Sequence, residues 1–236
     1  MATNVYEGTK ADTKADTKIY VKDDCFHDAV VKLKEYVEKY KDEEHLEIEF
    51  RLGYLDNDEF KTDVGRDFFD KITDQLVDSE VWSSIEVENS EDYFYNGRRL
   101  TISEKDPKGI CIKKDKLAVI DFIFSGTGFD LRVSFSKEVP SNRFPKEKAN
   151  YKRIKERTSY NFKHLSFDLT KVTFEDNTVE DHVFEIELET KKLDLSKMTS
   201  HYLVHDSLLK IRDMVKMCEE IDSDAKLQFV KEKVYA

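Results

Sequence analysis

Two periodicities divide the chain. Phe26, Ala29, Val30, Leu33, Val37 and Tyr40 recur at three- and four-residue spacing, which predicts a helix with one buried face and with Asp23 or Asp24 placed to cap it. A second helix is predicted over about 63–78, burying Phe68, Phe69, Ile72 and Leu76. A third, near the C-terminus, carries Leu203, Leu208, Ile211, Met214, Val215, Cys218 and Ile221. Between these helices the period is two. Segments 46–54, 93–104, 109–114, 116–124, 129–139, 151–162, 165–174 and 181–190 alternate polar with apolar. Turns punctuate them at Asn96-Gly97, Asp106-Pro107-Lys108-Gly109, Ser125-Gly126-Thr127-Gly128, Pro140-Ser141-Asn142 and Glu175-Asp176-Asn177. Eight or more antiparallel strands, with helices at the ends and one inserted after the first strand, predict an α+β chain built on an eight-stranded, closed or nearly closed barrel. No break in pattern splits residues 23–236, which read as one domain. Residues 1–22 contain the repeat TKADTKADTK and almost no apolar side chains, and read as a mobile arm.

The polar faces of these strands are unusually ionised. Glu47, Glu49 and Arg51 share one face of the first strand, opposite Leu46, Ile48, Phe50 and Leu52. Glu185, Glu187 and Glu189 share one face of the last. Arg153, Lys155, Arg157 and Ser159 form a third set, Asp130, Arg132, Ser134, Ser136 and Glu138 a fourth, and Arg99, Thr101 and Ser103 a fifth. A single Glu-x-Glu strand is ordinarily a wet face. Several rows of like charge within one sheet are different, because neighbours two residues apart repel and a wet surface gains by mixing signs. Acidic and basic strands facing each other across a lumen make sense of the segregation. Carboxylate oxygens in a row suit Mg²⁺ or Mn²⁺ rather than Zn²⁺, and rows of Arg and Lys suit a phosphate chain. No phosphate-cradling Walker loop is present, since Ser125-Gly126-Thr127-Gly128 lacks the Lys and the following helix.

Composition narrows the class. Charged residues make up 38% of the 236, and 50 acids against 39 bases leave a net charge of −11. That argues against a surface gripping nucleic acid everywhere, though not against a local basic site. Cys25, Cys111 and Cys218 are far apart and form no CxxC, so a reducing, cytoplasmic setting is expected. No run of about 18 apolar residues occurs, so no membrane partner is expected.

LEIEFRLG (46–53), FDLRVSFSKEVP (129–140), RIKERTSY (153–160), FDLTKVT (167–173) and VFEIELE (183–189) occur in this order. Together, over about residues 45–191, they resemble the metal-dependent RNA 5′-triphosphatases of mRNA capping. These are the fungal, protozoan and large-DNA-virus branch of the triphosphate tunnel metalloenzymes, and the likeness is greatest to the triphosphatase domain of giant-virus capping enzymes. The resemblance implies a tunnel of eight antiparallel strands that removes the γ-phosphate of triphosphate-ended RNA, with Mg²⁺ or Mn²⁺ as cofactor and free NTPs as side substrates. It implies that Glu47, Glu49 and Glu189 hold the metal and that Glu187 orients the attacking water. Arg99, Arg132, Arg153, Lys155 and Arg157 bind the phosphates, with Arg132 and Arg157 the most securely aligned and catalytic. Glu185 belongs to the acidic row, and Lys113 is a further candidate. A guanylyltransferase domain or subunit is the implied partner, and a virion or viral factory an alternative location. Arg51 stands where bacterial and animal relatives have Lys, which favours the capping branch. Lys61-Thr62-Asp63-Val64-Gly65 is one residue too long for a guanylyltransferase Lys-x-Asp-Gly nucleophile. An inorganic polyphosphate or small-triphosphate hydrolase of the same fold, and a non-catalytic polyanion-binding module, are the rival readings.

Three further signals are weaker. His201 and His205 have zinc-ligand spacing but no obvious third ligand. Cys111, between Ile110 and Ile112, is placed toward the tunnel as a packing residue. Tyr93 or Tyr95, near the barrel end, is a candidate for stacking on RNA bases.

Overall fold

The computed structural model describes residues 26–142, 145–174, 182–191, 198–221 and 224–235. The predicted arm, the Asp23/Asp24 cap, Cys25 and the turn at Glu175-Asp176-Asn177 lie outside the described residues. The elements in chain order are α1 (His27–Tyr40), β1 (Leu46–Asp56), β2 (Glu59–Lys61), α2 (Arg66–Val77), β3 (Ser84–Tyr95), β4 (Arg98–Ser103), β5 (Ile110–Ser125), β6 (Asp130–Pro140), β7 (Tyr151–Phe162), β8 (Leu165–Phe174), β9 (His182–Thr190), α3 (Ser200–Cys218) and β10 (Lys226–Val234).

Eight of the strands close on themselves. The hydrogen-bonded circuit runs β1–β6–β5–β4–β3–β7–β8–β9 and back to β1, every pair antiparallel. β2 extends β1 as a hairpin, and β10 lies along the second half of β5. The barrel agrees with the expectation, but three details of its strands differ. Segment 93–104 is two strands, because Gly97 at φ 73° turns the chain back and Tyr95 pairs with Arg98. Segments 109–114 and 116–124 are one strand, carried across the supposed break by a bulge between Lys116 and Ala118. β3 starts at Ser84, nine residues ahead of the predicted segment, and β10 was not foreseen at all.

The barrel is turned inside out relative to a small soluble barrel. Ile48, Phe50 and Leu52 of β1, Ile120 and Phe122 of β5, Leu131, Val133 and Phe135 of β6, and Ile186 and Leu188 of β9 point outward and are fully buried. They are covered by α1 and α3, which bring Leu33, Val37, Leu208, Ile211 and Val215 to the same core. The alternate residues of those strands therefore face a lumen. α2 begins at Arg66 rather than near Asp63, because the Asp63 carboxylate is used elsewhere: Oδ1 accepts hydrogen bonds from the Gly65 and Phe184 backbone N–H groups. That fastens the near-miss Lys61–Gly65 segment to β9 as a structural strap.

Gly53, at the end of the inward row of β1, marks a close approach. A Cβ there would stand 2.1 Å from the Lys61 carbonyl oxygen and 2.7 Å from the Phe60 ring. Gly53→Ala is expected to push the β1–β2 hairpin away and to lower the unfolding free energy by about 1–3 kcal/mol, read from urea titration. Parental stability in that variant would mean the hairpin does not close against β1 in solution.

Candidate active site inside the barrel

Register decides which side chains share the lumen. Glu49 and Arg51 of β1 stand opposite Glu189 and Glu187 of β9, and these in turn opposite Ser166 and Asp168 of β8. On the other side of β1, Arg51 is opposite Arg132 of β6, which is opposite Asp121 of β5. Arg157 of β7 pairs with Thr170 of β8, and Arg153 with Asp92 of β3. Glu47, Glu49, Glu185, Glu187, Glu189, Arg99, Arg132, Arg153, Lys155 and Arg157 thus all lie on one interior face, as the alternation predicts. The acidic and basic rows do not stand as opposed walls, however. β7, β8 and β9 form a meander, so the bases of β7 and the acids of β9 are only one strand apart and interlock.

Arg157 shows the interlocking. Its Nε donates to Thr170 Oγ1 at 2.9 Å, Nη1 to Asp168 Oδ2 at 3.1 Å and Nη2 to Glu187 Oε2 at 3.5 Å. Arg51 bridges the two acidic rows, pairing with Glu49 at 2.7 Å and with Glu187. Lys155 pairs with Asp92 at 2.7 Å, and Asp92 also accepts from Thr101 Oγ1 at 2.6 Å. Arg99 reaches Glu138 at 3.3 Å. Arg132 is committed to Asp121, with Nε at 2.7 Å and Nη2 at 2.9 Å from its oxygens, and its guanidinium lies 4.6 Å from the Phe60 ring.

Charge balance inside this girdle is uneven. Burial would raise the Glu187 carboxyl, yet Arg51 and Arg157 outweigh it and hold the group at about 2. Glu49 shares only Arg51 and a more distant Lys114, so burial and repulsion from Glu187 and Glu47 push it up to about 7. Burial, joined by Glu47 and Asp168, likewise lifts Glu189 to about 7 against the pull of Lys191. Burial and the adjacent Arg157 lower the Lys155 ammonium. On the cationic side, the buried Nε atoms of Arg51, Arg99 and Arg153 have no hydrogen-bond partner among the described residues. Two carboxyls raised chiefly by burial, and three buried guanidinium donors without partners among the described residues, give the lumen groups suited to taking up a cation and an anion.

The donor set fits a divalent cation in kind. Glu47, Glu49 and Glu189 offer only carboxylate oxygens, on neighbouring strands, and no softer ligand stands among them. Among the described residues, no three His, Cys, Asp or Glu side chains gather at metal-binding geometry. Glu47 is turned to Lys114 and to Ser136 Oγ at 2.7 Å, Glu49 to Arg51, and Glu189 to Lys191 at 3.2 Å.

A family model described as the mRNA capping enzyme, beta chain, matches residues 56–217, more than half of the sequence. The chain belongs to this family. The mRNA-capping enzyme subunit beta of Schizosaccharomyces pombe is 33% identical over 81 residues, which is 33% of this chain and 27% of that relative. The match therefore spans only about a quarter of that capping-enzyme subunit's length. The solved structure of S. pombe Pct1 RNA triphosphatase matches with a TM-score of 0.68 at 19% identity, covering 81% of this chain and 94% of that one. The same enzyme solved in complex with the Spt5 CTD matches at 0.70 and 18% identity, covering 81% and 95%. At that identity the likeness shows the fold: this beta-chain relative shares the barrel of the S. pombe enzyme.

Side chains missed by sequence reasoning complete the girdle. Lys114, not Lys113, enters the lumen, where it pairs with Glu47 and, at 3.1 Å, with Glu138. Lys113 points out, 55% exposed, and pairs with Asp115 at 2.7 Å. The bulge after Lys116 is the cause, since counting inward positions back from Asp121 without it gives the wrong parity. Asp92 and Asp168, both fully buried, were also missed, although Asp168 sits in a quoted motif two residues from Thr170. Cys111 is buried, but it neighbours Leu100 on the face opposite Arg99 and Ile112, away from the tunnel. Tyr93 also faces outward, its hydroxyl donating to Glu91 at 2.6 Å, while its neighbour Phe94 takes the inner face. His201 and His205 stack at 5.9 Å on α3, with no third metal ligand among the described residues.

Proposed function

We propose that this chain is a divalent-metal-dependent RNA 5′-triphosphatase, removing the γ-phosphate of triphosphate-ended RNA as the first step of cap formation. The observation that carries the reading is the girdle itself: rows of bases with buried guanidinium donors that have no partner among the described residues, interlocked with an acidic row in which burial and mutual repulsion raise Glu49 and Glu189 despite their paired cations. Membership of the capping-enzyme beta-chain family supports the choice of RNA among phosphate-chain substrates.

Glu47, Glu49 and Glu189 would hold Mg²⁺ or Mn²⁺, which when bound neutralises charge on the transferring phosphoryl group. Arg153, Lys155 and Arg157, on one face of β7, hold the phosphate chain, with Arg99 and Lys114 across the lumen. Arg157 arrives with its fork already fixed by Thr170, Asp168 and Glu187, so little reorganisation accompanies charge build-up in the transition state. Arg132, bound to Asp121, serves the end of the chain rather than its centre. Glu187, held ionised near 2, is a weak base and a good hydrogen-bond acceptor. It orients a water in line with the γ-phosphorus, and the loose transition state of phosphoryl transfer demands little deprotonation beforehand. The β–γ bridging P–O bond breaks as the water oxygen bonds to phosphorus, leaving a diphosphate end and phosphate.

As a capping-enzyme beta chain, the protein would act with a guanylyltransferase domain or subunit, and an Spt5 tail of the kind bound by the S. pombe enzyme is a second candidate partner. Cys218 is a free thiol, which supports a cytoplasmic setting. The giant-virus likeness rests on the ordered motifs alone. Phosphate release from triphosphate-ended RNA, ATP and tripolyphosphate, each with Mg²⁺, Mn²⁺ or chelator, tests the reading. Metal-dependent release that favours RNA is expected. Tripolyphosphate as the preferred substrate would favour the polyphosphate hydrolase, and binding without release under every condition would leave a polyanion-binding module.

A further inference from the structure

We infer that Tyr151 and Phe94 form a stacking platform for the first nucleoside of the substrate, an inference that rests on the triphosphatase reading and extends it to the tunnel mouth. β1, β3, β5 and β8 run in one direction and β4, β6, β7 and β9 in the other, as the antiparallel circuit requires. The ends of β1 and β3 and the start of β7 therefore share one end of the barrel. Inward positions along β7, read from the girdle toward that end, are Arg157, Lys155, Arg153 and Tyr151. Tyr151 pairs with Phe94 of β3 across the strand boundary, and their rings stack at 4.3 Å and 9°. The Arg153 guanidinium lies 5.0 Å from the Phe94 ring, and its Nε is one of the buried donors without a partner. Tyr151 nevertheless remains 50% exposed. A row of bases, Lys155 buried and Arg153 and Arg157 half-buried, thus ends in a stacked pair of which Tyr151 is exposed and Phe94 half-buried.

This pair sits one inward position, about 7 Å, beyond the outermost base of the phosphate-binding row. A triphosphate with its γ-phosphate beside Arg157 and its α-phosphate toward Arg153 carries its sugar and base out past Tyr151. Any nucleobase presents a π-face there, so the platform tells a nucleoside 5′-triphosphate end from a bare polyphosphate without reading sequence. At the same end of the barrel, across the lumen, Phe60 of the β1–β2 hairpin lies against Arg132.

The test uses the full chain with Tyr151→Ala and Tyr151→Phe, and measures steady-state kinetics on triphosphate-ended RNA, ATP and inorganic tripolyphosphate. Tyr151→Ala is expected to raise KM for RNA and for ATP about 5- to 150-fold with kcat unchanged, while KM for tripolyphosphate moves less than about twofold. Tyr151→Phe is expected to restore the parental KM values. A rise shared by all three substrates would mean that Tyr151 only positions Arg153, and no change in any would remove the platform altogether. Should the parent protein release phosphate from none of the three, the triphosphatase reading fails separately. Titration calorimetry of ATP against tripolyphosphate, on parent and Tyr151→Ala, would then still decide whether the ring is recognised.

Discussion

Glu189→Gln is expected to reduce metal-dependent phosphate release below about one-hundredth of the parental rate and to leave the metal-free protein as stable as the parent or more so. Glu189 lies opposite Glu49 and near Glu47 and Asp168, with only Lys191 to offset them, and it sits at about 7. A carboxyl raised above its unfolded value near 4.5 binds more protons in the native state, so stability falls as pH rises from about 4.5 to 7. Glu49, also near 7, contributes in the same direction. Glu187, held at about 2, acts oppositely, but its contribution is lost only as pH falls below about 4.5. In chelator, the parent's melting temperature should therefore decline between pH 5 and pH 7.5, and the Gln variant's should decline less. Mn²⁺ should raise the parent's stability by about 2.7 kcal/mol at 100 times Kd, and the variant should lose most of that gain. If Glu189→Gln unfolds the protein while Mn²⁺ leaves the parent's melting unchanged, the carboxylate is a structural partner of Lys191 and the metal assignment fails.

The second large effect is expected at Arg157. Arg157→Lys keeps one positive charge between Asp168 and Glu187 but loses the planar fork and the Nε bond to Thr170. Turnover should fall about 100-fold or more, with a melting temperature close to the parent's. Arg157→Ala should fail differently. It leaves the fully buried Asp168 and the nearly buried Glu187 with fewer cations, and breaking a buried pair in this way costs about 3–5 kcal/mol. Urea unfolding beside single-turnover kinetics separates the two outcomes. Near-parental turnover in Arg157→Lys would show that charge alone is needed there and that the fork is a structural brace.

The contrast between Lys113 and Lys114, and between Tyr93 and Phe94, shows where reading the chain stops working. Alternation gives parity within a strand, so Glu185, Glu187 and Glu189 must share a face whatever surrounds them. Parity between strands depends on register, and a single bulged residue reverses it. Strand β5 carries such a bulge between Lys116 and Ala118, and Lys114 was missed on that account. Strand β3 was misread for another reason. Its first half, Ser84–Glu88, is largely exposed on both faces, so no burial contrast is written into it. β10 lies on the edge of β5 with most of its residues exposed and is likewise almost silent in hydropathy.

The sequence by itself determined the barrel class, the three helices and the segregation of acids and bases onto single strand faces. Each of these is set by spacing within one segment. Only the tertiary structure decided what those charges do to one another. Arg51 helps hold Glu187 ionised, while burial and that same Glu187 push Glu49 up despite Arg51, because β9 pairs with β1 in one register; Arg157 reaches Glu187 because β8 carries small or acidic residues between them. Closure of the circuit brings Phe94, Tyr151 and Phe60 to one end. These contacts join residues far apart in the chain, as Arg51 and Glu187 pair across 136 positions. Local pattern carries no information about such pairings, because the energy that selects them is burial of the outward apolar faces under α1 and α3, and the inward charges follow.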